Sequence, residues 1–276
     1  MTTPRKILDR HDLRPLKRYG QSFLVDKNIM TRIVKGASPG PDDRVVEIGP
    51  GVGIMTGILA DCAGSVIAVE VDRRMIEILQ EEMAHRNNVT IIKQDVLTYD
   101  FSSALRSIDD TIVVVGNIPY NISSQILFRL IRFRAHIKTA VLMFQKELAE
   151  RVLARAGSPR YGSISVMADM YFKVDRVIAV SPQCFFPEPK VDSLVLKFTT
   201  RDRPLCTVSD HDHFQNVVRA AFSKRRKTLV NSLLSNPFIE LDRNRVLAVL
   251  DELDIDPRRR GETLTVEEFA LLSNLL

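Results

Sequence analysis

Arg44-Val-Val-Glu-Ile-Gly-Pro-Gly-Val-Gly53 is the stretch of this 276-residue chain that decides its fold. Its first five residues form a short run typical of a buried strand, and glycine then occupies every second position up to Gly53. Apolar residues continue at helical spacing to about Ala63, which predicts a helix. A strand, a glycine turn and a helix in this order open a βαβ unit of the nucleotide-binding type.

The same alternation continues on the carboxyl side of that unit. Apolar, β-branched runs at residues 65–70, 89–93, 111–116 and 139–144 predict four further strands, and segments with helical periodicity separate most of them. Connections of this length suit parallel strands joined by crossover helices. The sequence therefore predicts an α/β fold with a parallel sheet covered on both faces.

The pattern changes after residue 156. Residues 174–180 and 191–199 are β-rich and are joined by a proline-rich loop, so they are expected to be neighbouring, antiparallel strands. From about residue 204 only helical periodicity follows, and Thr265-Val-Glu-Glu268 matches a capping box. We expect a basic N-terminal arm at residues 1–24, an α/β domain at 25–203 and a helical C-terminal domain at 204–276.

Positive charge is concentrated at the N-terminus. The net charge is +5, and residues 1–35 carry nine Lys/Arg against three Asp/Glu. Few apolar residues precede Tyr19, so the arm is expected to be mobile. It is expected to become ordered at Phe23 and Leu24, whose side chains can be buried. A second basic cluster comprises Arg219 and residues 224–227. Such clusters are typical of contacts with nucleic-acid phosphates, although a solvated charged surface would have the same composition.

Composition excludes several classes of protein. The chain has no run of about 18 apolar residues and no secretory leader, so we expect a soluble, cytoplasmic protein. Its three cysteines are widely spaced, which does not suit a disulfide framework. No P-loop motif supports phosphoryl transfer. His211 and His213 are interpreted as a polar helix start, and no metal site is expected.

Four signals fall at the ends of successive strands: the glycine turn beginning at Gly49, then Glu70, Asp95 and Asn117. In a parallel sheet these ends share one edge, so they can converge on one ligand. The glycine turn would bring backbone N–H groups close to it. Glu70 could accept hydrogen bonds from a ribose diol, and Asp95 could accept one from an adenine amine. The glycine turn and Glu70 are features that dinucleotide sites also have. Asp95 and Asn117, at the ends of the later strands, are the residues that distinguish this site from them.

Asn117-Ile-Pro-Tyr120 offers nothing obvious to hydride transfer, but it suits an exocyclic amine that accepts a methyl group. The lone pair of adenine N6 is delocalised into the ring, so the amine is a poor nucleophile. The Asn117 side-chain oxygen and the Ile118 carbonyl could hold its N–H groups so that the nitrogen becomes pyramidal. Tyr120 offers a face for a base taken out of its helix. The alternative interpretation is a capped strand-to-helix turn with Asn121 or Ser123 as the N-cap.

Four motifs together resemble the ribosomal RNA adenine dimethyltransferases, most closely the bacterial enzymes that act on the small subunit. They are residues 47–51 (EIGPG), 117–120 (NIPY), 20–24 (GQSFL) and 186–193 (FPEPKVDS). The resemblance covers essentially the whole chain. It implies a Rossmann-like methyltransferase domain, S-adenosylmethionine as cofactor, and dimethylation of N6 of two adjacent adenosines near the 3′ end of small-subunit rRNA.

The resemblance also implies individual roles. Cofactor contacts would come from Ser22, Leu24, Gly49, Glu70, Asp95 and Asn117. The target base would be held by Asn117, Tyr120 and Phe185, with Phe185 as the second stacking face. Ser22 departs from the family pattern, which usually has Asn at that position, so a side-chain contact between Ser22 and the cofactor is in question.

Two other functions remain open from the sequence. One is methylation of large-subunit rRNA, as in the related macrolide-resistance enzymes, with a DNA adenine methylase as a more distant relative. The other is a ribosome-assembly factor that binds RNA and for which catalysis is not essential. The expected partner is rRNA within an assembling small subunit, with the protein acting as a monomer.

Overall fold

The computed structural model describes residues 3–16, 20–224, 226–236, 239 and 241–276. The chain divides into two compact units: residues 1–149 with 174–200, and residues 150–173 with 201–276. After Thr200 the chain remains in the second unit to its last described residue. The second unit also takes residues 150–173, which the sequence assigned to the α/β domain.

The first unit is built on a seven-stranded sheet. Its strands are β2 (Arg44–Ile48), β3 (Ser65–Glu70), β4 (Val89–Lys93), β5 (Ile112–Asn117), β6 (Ile137–Gln145), β7 (Phe172–Val180) and β9 (Ser193–Thr200). Across the sheet they lie in the order β4-β3-β2-β5-β6-β9-β7. Strands β2 to β6 are parallel, and β9 runs antiparallel to β6. The predicted, mostly parallel sheet is confirmed, and the two late strands are neighbours as expected.

Both faces of the central strands are covered. Successive strand residues point to opposite faces, and Val45 and Val46 are both fully buried, as are Val114 and Val115. The helices of this unit are α1 (Pro4–Arg10), α2 (Lys27–Ala37), α3 (Ile54–Ala60), α4 (Arg73–Glu82), α5 (Ser123–Arg132) and α6 (Lys146–Val152), the last ending in the second unit. The chain leaves β2 for β3 and β4 on one side, then returns to β5 on the other, so a crevice is expected beside the end of β2.

The N-terminal arm is not a mobile segment throughout. Residues 4–10 form α1, whose Thr3 N-cap accepts a hydrogen bond from the Lys6 N–H. Ile7 and Leu8 are each 1% exposed and pack in one cluster with Met75 and Ile78 of α4. Two apolar residues one position apart were enough to bury one face of a short helix. Lys17, Arg18 and Tyr19, which belong to the same predicted arm, lie outside the described residues.

A second, two-stranded sheet joins distant parts of the first unit. Strand β1 (Phe23–Leu24) pairs antiparallel with β8 (Phe185–Phe186), so that Phe23 faces Phe186 and Leu24 faces Phe185. The Val25 N–H extends the pairing by donating to the Cys184 carbonyl at 2.7 Å. The predicted ordering at Phe23 and Leu24 is confirmed, and its cause is this pairing.

The second unit is helical in its described part. It contains α7 (Ser163–Tyr171), α8 (His211–Ala221), α9 (Leu229–Leu234), α10 (Arg243–Glu252) and α11 (Val266–Leu275). Thr265 and Glu268 form the predicted capping box. Asp210 caps α8 by accepting from the His213 N–H, as expected for a polar helix start. Helix α7 belongs here because it packs against α8 and α11, which explains the displaced boundary.

None of the described helices combines the length and the apolar character that crossing a bilayer requires. Within the described residues no group of His, Cys, Asp and Glu side chains is arranged to hold a metal ion.

Candidate active site

A cavity of about 230 Å³ opens at the carboxyl edge of the parallel strands. The predicted residues that line it are Ser22, Gly49, Glu70, Asp95, Asn117 and Tyr120, together with Ile118 and Pro119 between the last two. The four strand ends therefore meet at one crevice, because the chain reverses its direction of winding there. Most of the remaining lining is apolar, as is usual for a small-molecule site.

The glycine turn wraps the floor of this cavity. Gly49 and Gly51 have φ values of +64° and +58°, in the left-handed region that favours glycine. A Cβ atom on Gly51 would lie 2.8 Å from the Phe23 ring. The turn can therefore pack against Phe23 only because position 51 lacks a side chain.

Glu70 is 7% exposed, and backbone groups fix its carboxylate. Its Oε1 accepts from the Val71 and Asp72 N–H groups at 2.8 Å each, and its Oε2 accepts from the Gly51 N–H at 3.3 Å. Burial raises the pKa of Glu70, and these backbone hydrogen bonds offset part of the rise. Each carboxylate oxygen can accept more than one hydrogen bond, so the fixed group can still receive a ribose hydroxyl.

Asp95 follows β4 and is exposed on the cavity side of the sheet edge. Its Oδ1 accepts from the Leu97 N–H at 2.9 Å, which holds the side chain in a local turn. A carboxylate in this place can accept from an amine of a bound base.

The Asn117 side chain has a defined orientation at the end of β5. Its Nδ2 donates to the Ser22 main-chain carbonyl at 2.9 Å. A carbonyl oxygen only accepts, so the amide nitrogen must face it and Oδ1 must point away. Asn117 thus presents an acceptor to a ligand in the cavity.

Tyr120 is held from its hydroxyl end. Its OH lies 2.8 Å from Ser193 Oγ at the start of β9. Pro119 precedes it, and the Pro119 carbonyl accepts from the Ile122 N–H and from Ser123 Oγ. Ile122 occupies the N-cap position of α5 without a side-chain hydrogen bond. The alternative of a turn capped by Asn121 or Ser123 is therefore not what the structure has.

Two residues from the resemblance are not at this cavity. Phe185 is 3% exposed and packs in the core with Leu24, Met30 and Val195. Leu24 lines a smaller neighbouring recess and not the main cavity. Ser22, by contrast, does line the main cavity. Its hydroxyl donates to the Pro187 carbonyl at 2.8 Å.

Sequence reasoning missed Glu47. This residue of β2 is fully buried, lines the smaller recess with Gly49, Gly51 and Asn117, and neither carboxylate oxygen has a hydrogen-bond partner within the described residues. Burial raises the pKa of Glu47 to about 8; Thr56 lowers it in part, and the charge of Glu70 raises it further. An acidic residue inside an otherwise apolar strand was the signal that could have identified it.

The polar groups that line the cavity and the adjoining recess fit a nucleoside cofactor with a cationic methyl group. Glu70 and Asp95 supply acceptors for ribose and base, and Gly49 and Gly51 bring the backbone to the wall of the cavity. Glu47 places unpartnered carboxyl oxygens in the adjoining recess. These residues, with Asn117, would hold S-adenosylmethionine at the crevice.

The sheet order and the converging strand ends define a Rossmann-like methyltransferase. Solved structures agree. A dimethyladenosine transferase from Plasmodium falciparum is 31% identical, with a TM-score of 0.77 over 91% of this chain and 95% of that one. The 23S rRNA methyltransferase ErmE is 29% identical, with a TM-score of 0.67 over 92% and 99% of the two chains.

Residues 13–276 match the family model described as ribosomal RNA adenine dimethylase, and the chain belongs to this family. Two relatives are each named ribosomal RNA small subunit methyltransferase A. The protein from Syntrophus aciditrophicus is 41% identical over 100% of this chain and 99% of its own length. The one from Moorella thermoacetica is 46% identical over 96% and 93%. The predicted methyltransferase class and the cofactor S-adenosylmethionine are confirmed by this membership.

Proposed function

We propose that this protein dimethylates N6 of adenosine in small-subunit ribosomal RNA, at two adjacent adenosines near its 3′ end. Support for the substrate comes from the two full-length relatives, both named as small-subunit methyltransferases. Support for the position in the RNA comes from the motif resemblance alone.

The orientation of Asn117 carries the proposal. Its Nδ2 is occupied by the Ser22 carbonyl, so Oδ1 is the group that an incoming amine meets. An amide turned the other way would offer a donor, which an adenine N–H could not use. The main chain of Ser22 therefore selects an N–H donor as the substrate group.

S-adenosylmethionine, when bound, supplies an electrophilic methyl group on a sulfonium. Asn117 Oδ1 and the Ile118 carbonyl each accept one N–H of the target amine, which localises the nitrogen lone pair. The C–N bond would form as the methyl–sulfur bond breaks, with S-adenosylhomocysteine as the leaving group. The methylated amine would then be acidic, and its proton would pass to solvent without a strong base. One N–H remains after the first transfer for the same acceptors to hold, so a second transfer is possible.

Tyr120 stacks on the extruded base in this proposal. Its hydroxyl contact with Ser193 fixes the ring at the mouth of the cavity. Base–aromatic stacking contributes about 1–3 kcal/mol per base. Phe185 serves as a second stacking face only if its ring leaves the core cluster that it shares with Leu24.

The proposed partner is rRNA in an assembling small subunit, bound by a monomer in the cytoplasm. Exposed basic side chains in the described part of both units, including Arg5, Lys6 and Lys224, suit phosphate contacts. Binding through such contacts should weaken steeply with added salt.

One experiment separates this function from its alternatives. Labelled S-adenosylmethionine is offered with unmethylated small subunits, large subunits, naked rRNA or duplex DNA, and the product nucleoside is identified by mass. We expect N6,N6-dimethyladenosine from small subunits. Product from large subunits alone would favour the activity of ErmE-like enzymes. An Asn117→Ala protein that makes no product but still binds immature subunits would establish an additional assembly role.

A further inference from the structure

An exposed loop, residues 187–192, connects β8 to β9 beside the candidate active site. Hydroxyl contacts fix it at both ends. At its start, Ser22 Oγ donates to the Pro187 carbonyl at 2.8 Å. Just past its end, Ser193 Oγ lies 2.8 Å from the Tyr120 hydroxyl. The start of the loop is therefore linked to Asn117 through Ser22, and its end is linked to Tyr120 through Ser193.

Ser22 makes two contacts with different partners. Its main-chain carbonyl accepts from Asn117 Nδ2 at 2.9 Å, and its side-chain hydroxyl donates to Pro187. The first contact orients the acceptor for the target amine. The second fixes the loop. Ser22 therefore fixes the distance between the Asn117 side chain and the start of the 187–192 loop.

The neighbouring segment is anchored well enough to serve as a reference point. Gln21 donates from Nε2 to Asp72 Oδ2 at 2.8 Å and accepts from the Leu16 N–H at 2.8 Å. On the other side, β1 has only two residues paired with β8. Pro187, Glu188 and Lys190 of the loop are exposed. The end of the loop is also held at Asp192, whose carbonyl accepts from the Lys146 N–H at 2.9 Å and whose carboxylate lies 3.5 Å from Lys146 Nζ.

We propose that Ser22 is a positioning residue whose hydroxyl holds the 187–192 loop in register with Asn117 for RNA binding, and that this hydroxyl is not a cofactor ligand. The inference rests on the proposed function, because the loop ends at Ser193, whose hydroxyl contacts Tyr120, the residue proposed to stack on the target base. It also accounts for serine at this position: the hydroxyl is short enough to reach the adjacent loop backbone while the carbonyl stays on Asn117.

Three variants of the full chain test the proposal. Ser22→Ala removes the loop contact and keeps the main-chain carbonyl, so the Kd for S-adenosylmethionine should change less than about twofold. The KM for unmethylated small subunits should rise by about three- to tenfold, the worth of one hydrogen bond. Ser22→Thr keeps a hydroxyl and should restore the KM. Ser103→Ala is the matched control, since Ser103 Oγ also donates to a backbone carbonyl, that of Asp100.

A second readout needs no RNA and no turnover. Hydrogen exchange of the peptide that covers residues 188–192 should be faster in Ser22→Ala than in the wild type, and unchanged in Ser103→Ala. If the wild type binds cofactor but does not methylate small subunits, the proposed function fails while the exchange result still decides the role of Ser22.

Three results would overturn the proposal. A tenfold weaker Kd for S-adenosylmethionine in Ser22→Ala, with an unchanged KM for subunits, would make the hydroxyl a cofactor ligand. Unchanged loop exchange would show that the contact does not hold the loop. A failure of Ser22→Thr to restore the KM, at normal thermal stability, would show that side-chain size and not the hydroxyl is required.

Discussion

Asn117 Nδ2 donates to the main-chain carbonyl of Ser22 at 2.9 Å, and this bond turns Asn117 Oδ1 toward the cavity. The contact fixes which end of the amide a substrate meets. Because the Ser22 partner is a backbone atom, its identity does not depend on which side chain stands at position 22.

The first prediction concerns this amide. Asn117→Asp keeps the shape of the side chain but places a carboxylate oxygen against the Ser22 carbonyl oxygen. Because both atoms are acceptors, they repel each other, and the side chain should turn or shift. We expect transfer to fall by about 10²- to 10³-fold, as for the loss of one oriented catalytic hydrogen bond. Rapid-quench assays would measure the transfer step and calorimetry the cofactor Kd. Wild-type rates in the variant would contradict the proposed mechanism.

Tyr120 provides a second prediction, which separates the ring from the hydroxyl. Tyr120→Phe keeps the stacking face and loses only the contact with Ser193. Tyr120→Ala loses both, at a cost of about 1–3 kcal/mol in base binding. We therefore expect a larger rise in the KM for small subunits in Tyr120→Ala than in Tyr120→Phe. Equal effects of the two substitutions would argue against stacking.

Glu47 predicts a pH dependence of stability. Its carboxyl has an ordinary pKa of 4.5 when unfolded and about 8 when folded. Between these values the folded state keeps a proton that the unfolded state has lost, so the free energy of unfolding falls as pH rises. The loss is roughly 4 kcal/mol at pH 8 and levels off at roughly 5 kcal/mol about one pH unit higher.

Glu47→Gln removes that titration, because glutamine is uncharged in both states. Its free energy of unfolding, measured with urea at pH 5 and pH 8, should vary less with pH than that of the wild type. Glu188→Gln is the control, since Glu188 is exposed and its removal should leave the wild-type pH dependence. Parallel pH profiles for wild type and Glu47→Gln would disprove the buried neutral acid.

The burial of Phe185 predicts a stability effect. Truncation to alanine should lower the free energy of unfolding by about 3–5 kcal/mol, since the ring is 3% exposed in the core. Phe185→Leu keeps most of the apolar volume and should lose less. Denaturant midpoints for both variants check this. A near-neutral Phe185→Ala would show that the ring lies outside the core in solution and is available for a base.

Helix α1 is tested by Ile7, which is 1% exposed. Ile7→Ala should lower the free energy of unfolding by about 2–4 kcal/mol, because its cluster includes residues of α4. Lys6→Ala, at an exposed position of the same helix, serves as the comparison and should change stability by less than about 0.5 kcal/mol. If both substitutions were neutral, residues 4–10 would be the mobile arm that the sequence suggested.

Much of the site was predictable because its geometry follows from strand order. Glu70, Asp95 and Asn117 each lie at or just after the end of a strand, and parallel strands place such ends on one edge. Residue type then indicated the chemistry. Glu47 could have been found in the same way, since an acidic residue in a buried strand requires a reason.

Other features depend on contacts that periodicity does not encode. The helix at residues 4–10 exists because Ile7 and Leu8 find apolar partners near residue 75, and the local composition is polar enough to suggest an arm. Phe185 is in the core because β8 pairs with β1 across most of the chain. Helix α7 joins the second unit for a similar reason, since its packing partners α8 and α11 come much later in the sequence.

The sequence by itself determined the α/β fold, the shared edge of Gly49, Glu70, Asp95 and Asn117, and the methyltransferase class. The fold and the shared edge follow from local periodicity and the geometry of parallel sheets. The methyltransferase class follows from the resemblance of four short motifs to a known family. Only the tertiary structure decided how Ser22 is used, through one contact with a residue 95 positions away and another 165 positions away. Whether a backbone carbonyl or a hydroxyl reaches a given partner is settled by the packing of distant segments, which no local pattern records.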